Sequence, residues 1–157
     1  MKKLSTCLWF NGQAEQAAAF YTSVFKNSSL GHTARYQDAS TQALGAVMSV
    51  HFVVEGQDFV ALNGGPQFSF NEAVSVVVNC DTQEELDRLW RMLTDGGEDG
   101  RCGWLKDRFG LSWQLVPRAL TSMMQDPDQA AAQRALASML HMNKLNIAAL
   151  ERAFRGG

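Results

Sequence analysis

The strongest constraint on this chain is an order of elements that occurs twice: an apolar, β-rich run closed by turn residues, then an amphipathic helix, then short strands. In the first copy the run is Leu4 to Phe10 (LSTCLWF), closed by Asn11-Gly12. Ala17, Phe20, Tyr21 and Val24 follow at the i, i+3, i+4, i+7 spacing of a helix lying on a sheet, and Asn27-Ser28-Ser29 ends it. Strands are expected over Gly31 to Tyr36, Val47 to Val54 and Phe59 to Leu62, with Glu55-Gly56 as the hairpin turn between the last two. The second copy opens with AVSVVVNC. Asp81 or Thr82 can cap its helix, Leu86, Leu89, Trp90 and Leu93 form the apolar stripe, and Gly96-Gly97 ends it. Short strands are expected near Asp99, over Cys102 to Lys106, and from Leu111 to Val116. Laid over each other, the halves place Glu15 on Glu84, Phe20 on Leu89 and Tyr21 on Trp90. One β-α-β-β-β unit leaves a sheet face open, and a second copy is the natural way to cover or extend it.

After Pro117 the sequence turns Ala- and Met-rich. Helical pieces are expected over Arg118 to Gln125, Asp128 to Met142 and Asn146 to Phe154, broken near Asp126-Pro127 and Asn143. Met123, Met124, Met139 and Met142 read as core or subunit contact, with a partner groove as the alternative.

A length of 157 residues suits one domain with a proper core, and 46% hydrophobic with 19% charged residues sets disorder aside. The net charge of -2 gives no footprint for nucleic acid or anionic lipid. No apolar run approaches the roughly 20 residues of a membrane span, and the N-terminal apolar stretch stops at Phe10, so neither a spanning segment nor a signal peptide is expected. Cys7, Cys80 and Cys102 are odd in number and without metal or disulfide spacing, which points to a reducing, cytoplasmic compartment.

The segments LWFNGQAEQAAAFYTSVF, ALNGGPQFSFNEAVSVVVNC and CGWLKDRFGLSWQLVP resemble the PhnB-like branch of the glyoxalase/vicinal-oxygen-chelate superfamily, to which bleomycin resistance proteins and dioxygenases also belong. The likeness extends through DPDQAAAQRALASML. It implies an α+β fold of two βαβββ modules with curved mixed sheets, followed by a C-terminal helical extension. The whole chain, residues 1–157, would be a single domain, with module 1 over about 1–70, module 2 over about 71–117, and the tail over 118–157. It also implies a homodimer. The branch often carries a 3-demethylubiquinone 3-methyltransferase label, which the residues do not support. No G-x-G-x-x-G loop follows a strand, and Gly64-Gly65-Pro66 reads as a turn.

Metal-using relatives take up to four ligands, typically His, Gln or Glu, from the first and fourth strands of each half. The resemblance carries these positions onto Thr6, Ala61, Ser75 and Gln114, a set with neither the charge nor the donor strength for a divalent ion. No metal and no other cofactor is expected. His32, His51 and His141 fall elsewhere, and His51, within a strand, reads as a hydrogen-bonded histidine.

Side chains alternate across a strand, so residues sharing the parity of those positions should line the cavity. That gives Thr6, Leu8, Phe10, Ala61, Asn63, Ser75, Val77, Cys102, Trp104, Ser112 and Gln114. Thr6, Phe10, Asn63, Ser75, Cys102, Trp104, Ser112 and Gln114 are its candidate ligand-binding residues, and no catalytic residue is assigned. Trp104 can stack on a ligand or fill core. Trp9 and Trp113 have the opposite parity and should pack under the helices. Lys106, Asp107 and Arg108 read as a solvated turn or as a rim for an anion. Three functions follow: metal-free binding of a small molecule; an isomerase, lyase or group transferase whose acid and base are unassigned; or a dimeric interaction protein acting through its tail.

Overall fold

The computed structural model describes residues 2–38 and 43–157. The chain forms two compact units, one ending at Ser69 and one beginning at Phe70. The architecture is α+β, with one βαβββ module in each unit and three helices after the second, as the sequence pattern and the resemblance require.

The first unit runs β1 (Thr6–Phe10), α1 (Ala14–Val24), β2 (Ser28–Arg35), β3 (Val47–Val54) and β4 (Gln57–Asn63), in sheet order β1-β4-β3-β2. β1 pairs parallel to β4, and the other pairs are antiparallel. Small Ala14, Ala17 and Ala18 bring α1 close to the sheet, and Tyr21 stacks on Phe52 at 6.0 Å, which stacks on Phe59 at 5.3 Å. Each such ring contributes about 1.5–3 kcal/mol by leaving water. Glu55 (φ 47°) and Gly56 (φ 76°) form the tight β3–β4 turn. The left-handed Glu55 is held by its N–H donating to Asn27 O at 2.7 Å. β2 starts at Ser28, ahead of the expected Gly31, because Ser28 and Ser29 pair with Val54 and Val53 once α1 has stopped at Val24.

The second unit runs β5 (Ser75–Cys80), α2 (Gln83–Thr94), β6 (Glu98–Asp99), β7 (Trp104–Lys106) and β8 (Ser112–Pro117), in sheet order β5-β8-β7-β6. Thr82 caps α2 by accepting from Glu85 N at 3.1 Å, while Glu85 accepts in return from Asp81 N at 2.8 Å. The expected stripe of Leu86, Leu89, Trp90 and Leu93 is buried. α3 (Arg118–Met124), α4 (Gln129–Met139) and α5 (Ile147–Arg155) follow, α4 capped by Asp128 and α5 by Asn146. These helices are built into the second unit. Cys102 N donates to Met142 O and Gly103 N to Asn143 O, both at 2.8 Å. Gln83 donates to Leu145 O at 3.1 Å and accepts from Ile147 N at 2.8 Å, and Leu145 and Leu150 are buried. Of the four tail methionines only Met123 is buried, as a core contact.

Candidate functional site

In the first unit, α1 covers the face carrying Leu8, Phe10, Val50, Phe52, Phe59 and Ala61. Thr6, Leu8, Phe10, Ala61 and Asn63 therefore share the helix-covered side of their strands, and the expectation that they line an open cavity is corrected. The cause is local. Asn11-Gly12-Gln13 between β1 and α1 is one residue longer than Asp81-Thr82 between β5 and α2, with Gly12 left-handed at φ 83°. Overlaying the helices thus misplaces the strands by one residue, which turns every side chain over. Asn63, 8% exposed, works as structure. Its Oδ1 accepts from Ala14 N at 2.9 Å, capping α1 from a neighbouring strand, and its Nδ2 donates to Val47 O at 3.1 Å.

The uncovered face of this sheet carries Cys7, Trp9, Val60, Leu62, Asp58 and His51 instead. Trp9 is thus not under the helix. Its Nε1 donates to Gly65 O at 2.9 Å, Phe68 meets it edge-on at 4.9 Å, and a Cβ on Gly64 would lie 2.3 Å from its Cζ2. His51 is hydrogen-bonded, as its place in a strand suggests: Nε2 lies 2.7 Å from Asp58 Oδ1. Gly31 leaves room for the ring, since a Cβ there would come within 2.5 Å of Nδ1. The His51 hydrogen bond holds the Asp58 carboxyl below the usual range, against the opposing effect of burial and with help from Lys2 N. The sequence led to an uncovered face without His or carboxylate, and His51 with Asp58 corrects that expectation.

In the second unit the expected parity holds: Trp113, Leu105 and Leu115 are buried under α2, and Ser75, Val77, Trp104, Lys106, Ser112 and Gln114 occupy the other face. Gln114 Nε2 donates to Ser75 Oγ at 2.8 Å. Cys102 is no strand residue; it sits at φ 56° in the turn before β7, held by Met142 O. Asp107 is neither solvated nor a rim. It is 3% exposed, and its carboxylate accepts from Trp113 Nε1 and Phe109 N, each at 2.8 Å, and from Leu111 N at 3.1 Å. Arg108 pairs with Asp95, and Lys106 with Glu72.

On this face lies a hollow of about 210 Å³ lined by Glu72, Glu98, Asp99, Gly100, Trp104, Leu105, Lys106 and Ser112. It gathers two of the candidate residues, Trp104 and Ser112. Ser75 and Gln114 lie on the same face outside its lining, while Cys102 and the three first-unit candidates, Thr6, Phe10 and Asn63, are not part of it. Glu72, Glu98 and Asp99 were missed, while Lys106, read as a solvated turn or a rim for an anion, shares the parity of Trp104 two positions earlier and lines the hollow. The Lys106 ammonium is held protonated, first by its hydrogen bond to Glu72, then by the charges of Glu72 and Glu98. Ser112 is 1% exposed and its Oγ has no hydrogen-bond partner.

The residues do not fit a resident divalent metal. Gln114 and Ser75 are bonded to each other, and among the described residues no three His, Cys, Asp or Glu side chains are grouped to hold an ion. Burial raises the Cys7 thiol pKa, and burial with the Glu85 and Asp81 charges pushes that of Cys80 up to about 12. Neither favours a thiolate. Nor does Gly64-Gly65 cradle a nucleotide, because the Trp9 indole lies against Gly64.

A sequence model of the family described as 3-demethylubiquinone-9 3-methyltransferase matches residues 2–116, ending before α3. The likeness read through DPDQAAAQRALASML therefore lies outside that match. A PhnB protein of Bacillus cereus with the same methyltransferase description is 34% identical, with a TM-score of 0.68, over 74% of this chain and 99% of its own. A protein of Pseudomonas aeruginosa is 22% identical over 74% of this chain and 98% of its own, with a TM-score of 0.61. The fosfomycin resistance protein FosX of Listeria monocytogenes, solved with Mn(II) and sulfate, is 16% identical over 73% of this chain and 91% of its own, with a TM-score of 0.53. The last two share the fold. No curated protein matches the chain.

Proposed function

Because the chain belongs to the PhnB-like family described as 3-demethylubiquinone-9 3-methyltransferase, on a glyoxalase-type fold, we propose that it binds a small molecule in the hollow beside Trp104 without a divalent metal. The observation that carries this reading is Ser112. A buried hydroxyl without a partner costs about 1–3 kcal/mol, and a polar group entering the hollow relieves that cost. Trp104 adds a half-buried aromatic face, the usual companion of a few polar groups in a binding site. The metal-free part rests on the donor set, in which a hydroxyl and an amide engage each other.

The test is a small-molecule screen by thermal shift on the full chain. A ligand at a hundred times its Kd adds about 2.7 kcal/mol of stability, and Trp104→Ala should abolish that shift. A shift that survives Trp104→Ala would move the site elsewhere, and one divalent ion per chain retained through dialysis would sink the metal-free part.

A second reading, an isomerase, lyase or group transferase, is favoured by His51 and Asp58, since a carboxylate-oriented imidazole is suited to moving protons. A homodimer and a cytoplasmic setting belong to the proposal as well. Val77, 49% exposed on edge strand β5, and three free cysteines support them. Among the described residues no helix is long and apolar enough to cross a membrane.

A further inference from the structure

The charge in the hollow narrows what it can hold. Its lining sets the carboxylates of Glu72 and Glu98 against one ammonium, Lys106, which is committed to Glu72. Glu98 lies opposite Lys106 in the β6–β7 pair, on the open face of the edge strand bordering Trp104, whereas Asp99 lies opposite Leu105 and shares the face that α2 covers. Gly100 lets that border pack directly on the Trp104 backbone: its N–H donates to Trp104 O at 2.9 Å, and a Cβ there would come within 2.5 Å of the same oxygen. Trp104 offers the aromatic face that attracts cations best. Ser112, buried and unpartnered on the floor of the hollow, can accept an N–H. An anion would meet excess negative charge, and a neutral ligand would leave Glu98 unneutralised as it displaced its water.

We infer that the hollow takes a small organic cation, a protonated amine whose ammonium group lies between Glu98 and the Trp104 face and donates to Ser112 Oγ. This rests on the hollow being the binding site. At about 210 Å³ it falls short of the roughly 300 Å³ at which drug-sized sites begin, so it fits a head group rather than a large molecule. The carboxylates are exposed, so binding weakens as salt rises.

Three probes of one shape separate the outcomes: 3,3-dimethylbutylammonium, 3,3-dimethylbutan-1-ol and 3,3-dimethylbutanoate, titrated into the full chain while the Trp104 indole N–H is followed by NMR. The amine should bind most tightly, at least about tenfold better than the alcohol, with that preference shrinking in high salt. Glu98→Gln should remove the preference while the Trp104 signal still responds. Ser112→Ala should weaken the amine by about two- to tenfold. The salt series uses the unaltered chain and is independent of how the variants fold. Alcohol or carboxylate binding at Trp104 as tightly as the amine would overturn the cation inference and leave the binding reading standing. If none of the three moves the Trp104 signal, the cation inference falls, and the binding reading is then judged by its own screen.

Discussion

Replacing Asn63 by alanine separates a structural residue from a ligand-binding one. Sequence parity places Asn63 in a cavity, whereas the structure gives its side chain two buried partners, Ala14 N at 2.9 Å and Val47 O at 3.1 Å. Gln13, the N-cap residue of α1, makes no side-chain capping bond, so Asn63 supplies the acceptor that the helix end needs. Alanine would strand one buried donor and one buried acceptor, each at about 1–3 kcal/mol, so a loss of about 2–6 kcal/mol is expected. That is a large part of the 5–15 kcal/mol by which domains are commonly stable. Urea unfolding followed by far-ultraviolet circular dichroism reads the loss as a lower midpoint at unchanged slope. Amide exchange should quicken first at the start of α1. A loss below about 1 kcal/mol, or weakened ligand binding with the urea midpoint unmoved, would refute the structural assignment and return Asn63 to a site.

Gly64→Ala should destabilise the first unit by about 1–3 kcal/mol, because the new methyl would lie 2.3 Å from Trp9 Cζ2; Trp9→Ala in the same chain should recover part of the loss, and additive urea midpoints would show that the two do not touch. The folded pKa of Asp58 lies below its unfolded value, so its contribution is present at neutral pH and lost as pH falls through the ordinary carboxylate range to the folded value. His51→Leu removes the hydrogen-bond partner that is the largest cause of that shift and should flatten the loss of stability as pH falls through the carboxylate range, a claim that parallel curves for the two proteins would contradict. On the enzymatic reading the same substitution should also lower turnover by about 10²–10⁴ while binding at Trp104 persists.

The elements were legible because their signals are local. The Leu86, Leu89, Trp90, Leu93 stripe, the Thr82 cap and the Glu55-Gly56 turn each depend on neighbours a few residues away, and each stands where the pattern puts it. Trp104 and Ser112 were legible for a related reason: β5 joins α2 through the short Asp81-Thr82 connection, so parity carries correctly from the strand to its partners. Asp107 was not legible, since the turn that brings Phe109 N and Leu111 N to its carboxylate also folds Trp113 of β8 back onto it, making an apparent surface acid a buried acceptor.

The first unit shows what a repeat can and cannot transmit. Matching Glu15 to Glu84 aligns the helices, whose buried positions are fixed by an angular period of 3.6 residues and tolerate a small rotation. A strand has a period of two, so the extra residue at Asn11-Gly12-Gln13 leaves no intermediate: Thr6 goes under the helix side and Cys7 and Trp9 go to the open one. Burial alone could have exposed the slip, because Leu8, Phe10, Phe59 and Ala61 form an apolar set of the kind a helix covers, while the alternate set contains His51 and Asp58. A helix-covered face excludes an imidazole paired with a carboxylate unless both are fully satisfied there, so the polar pair marks the open side independently of any overlay.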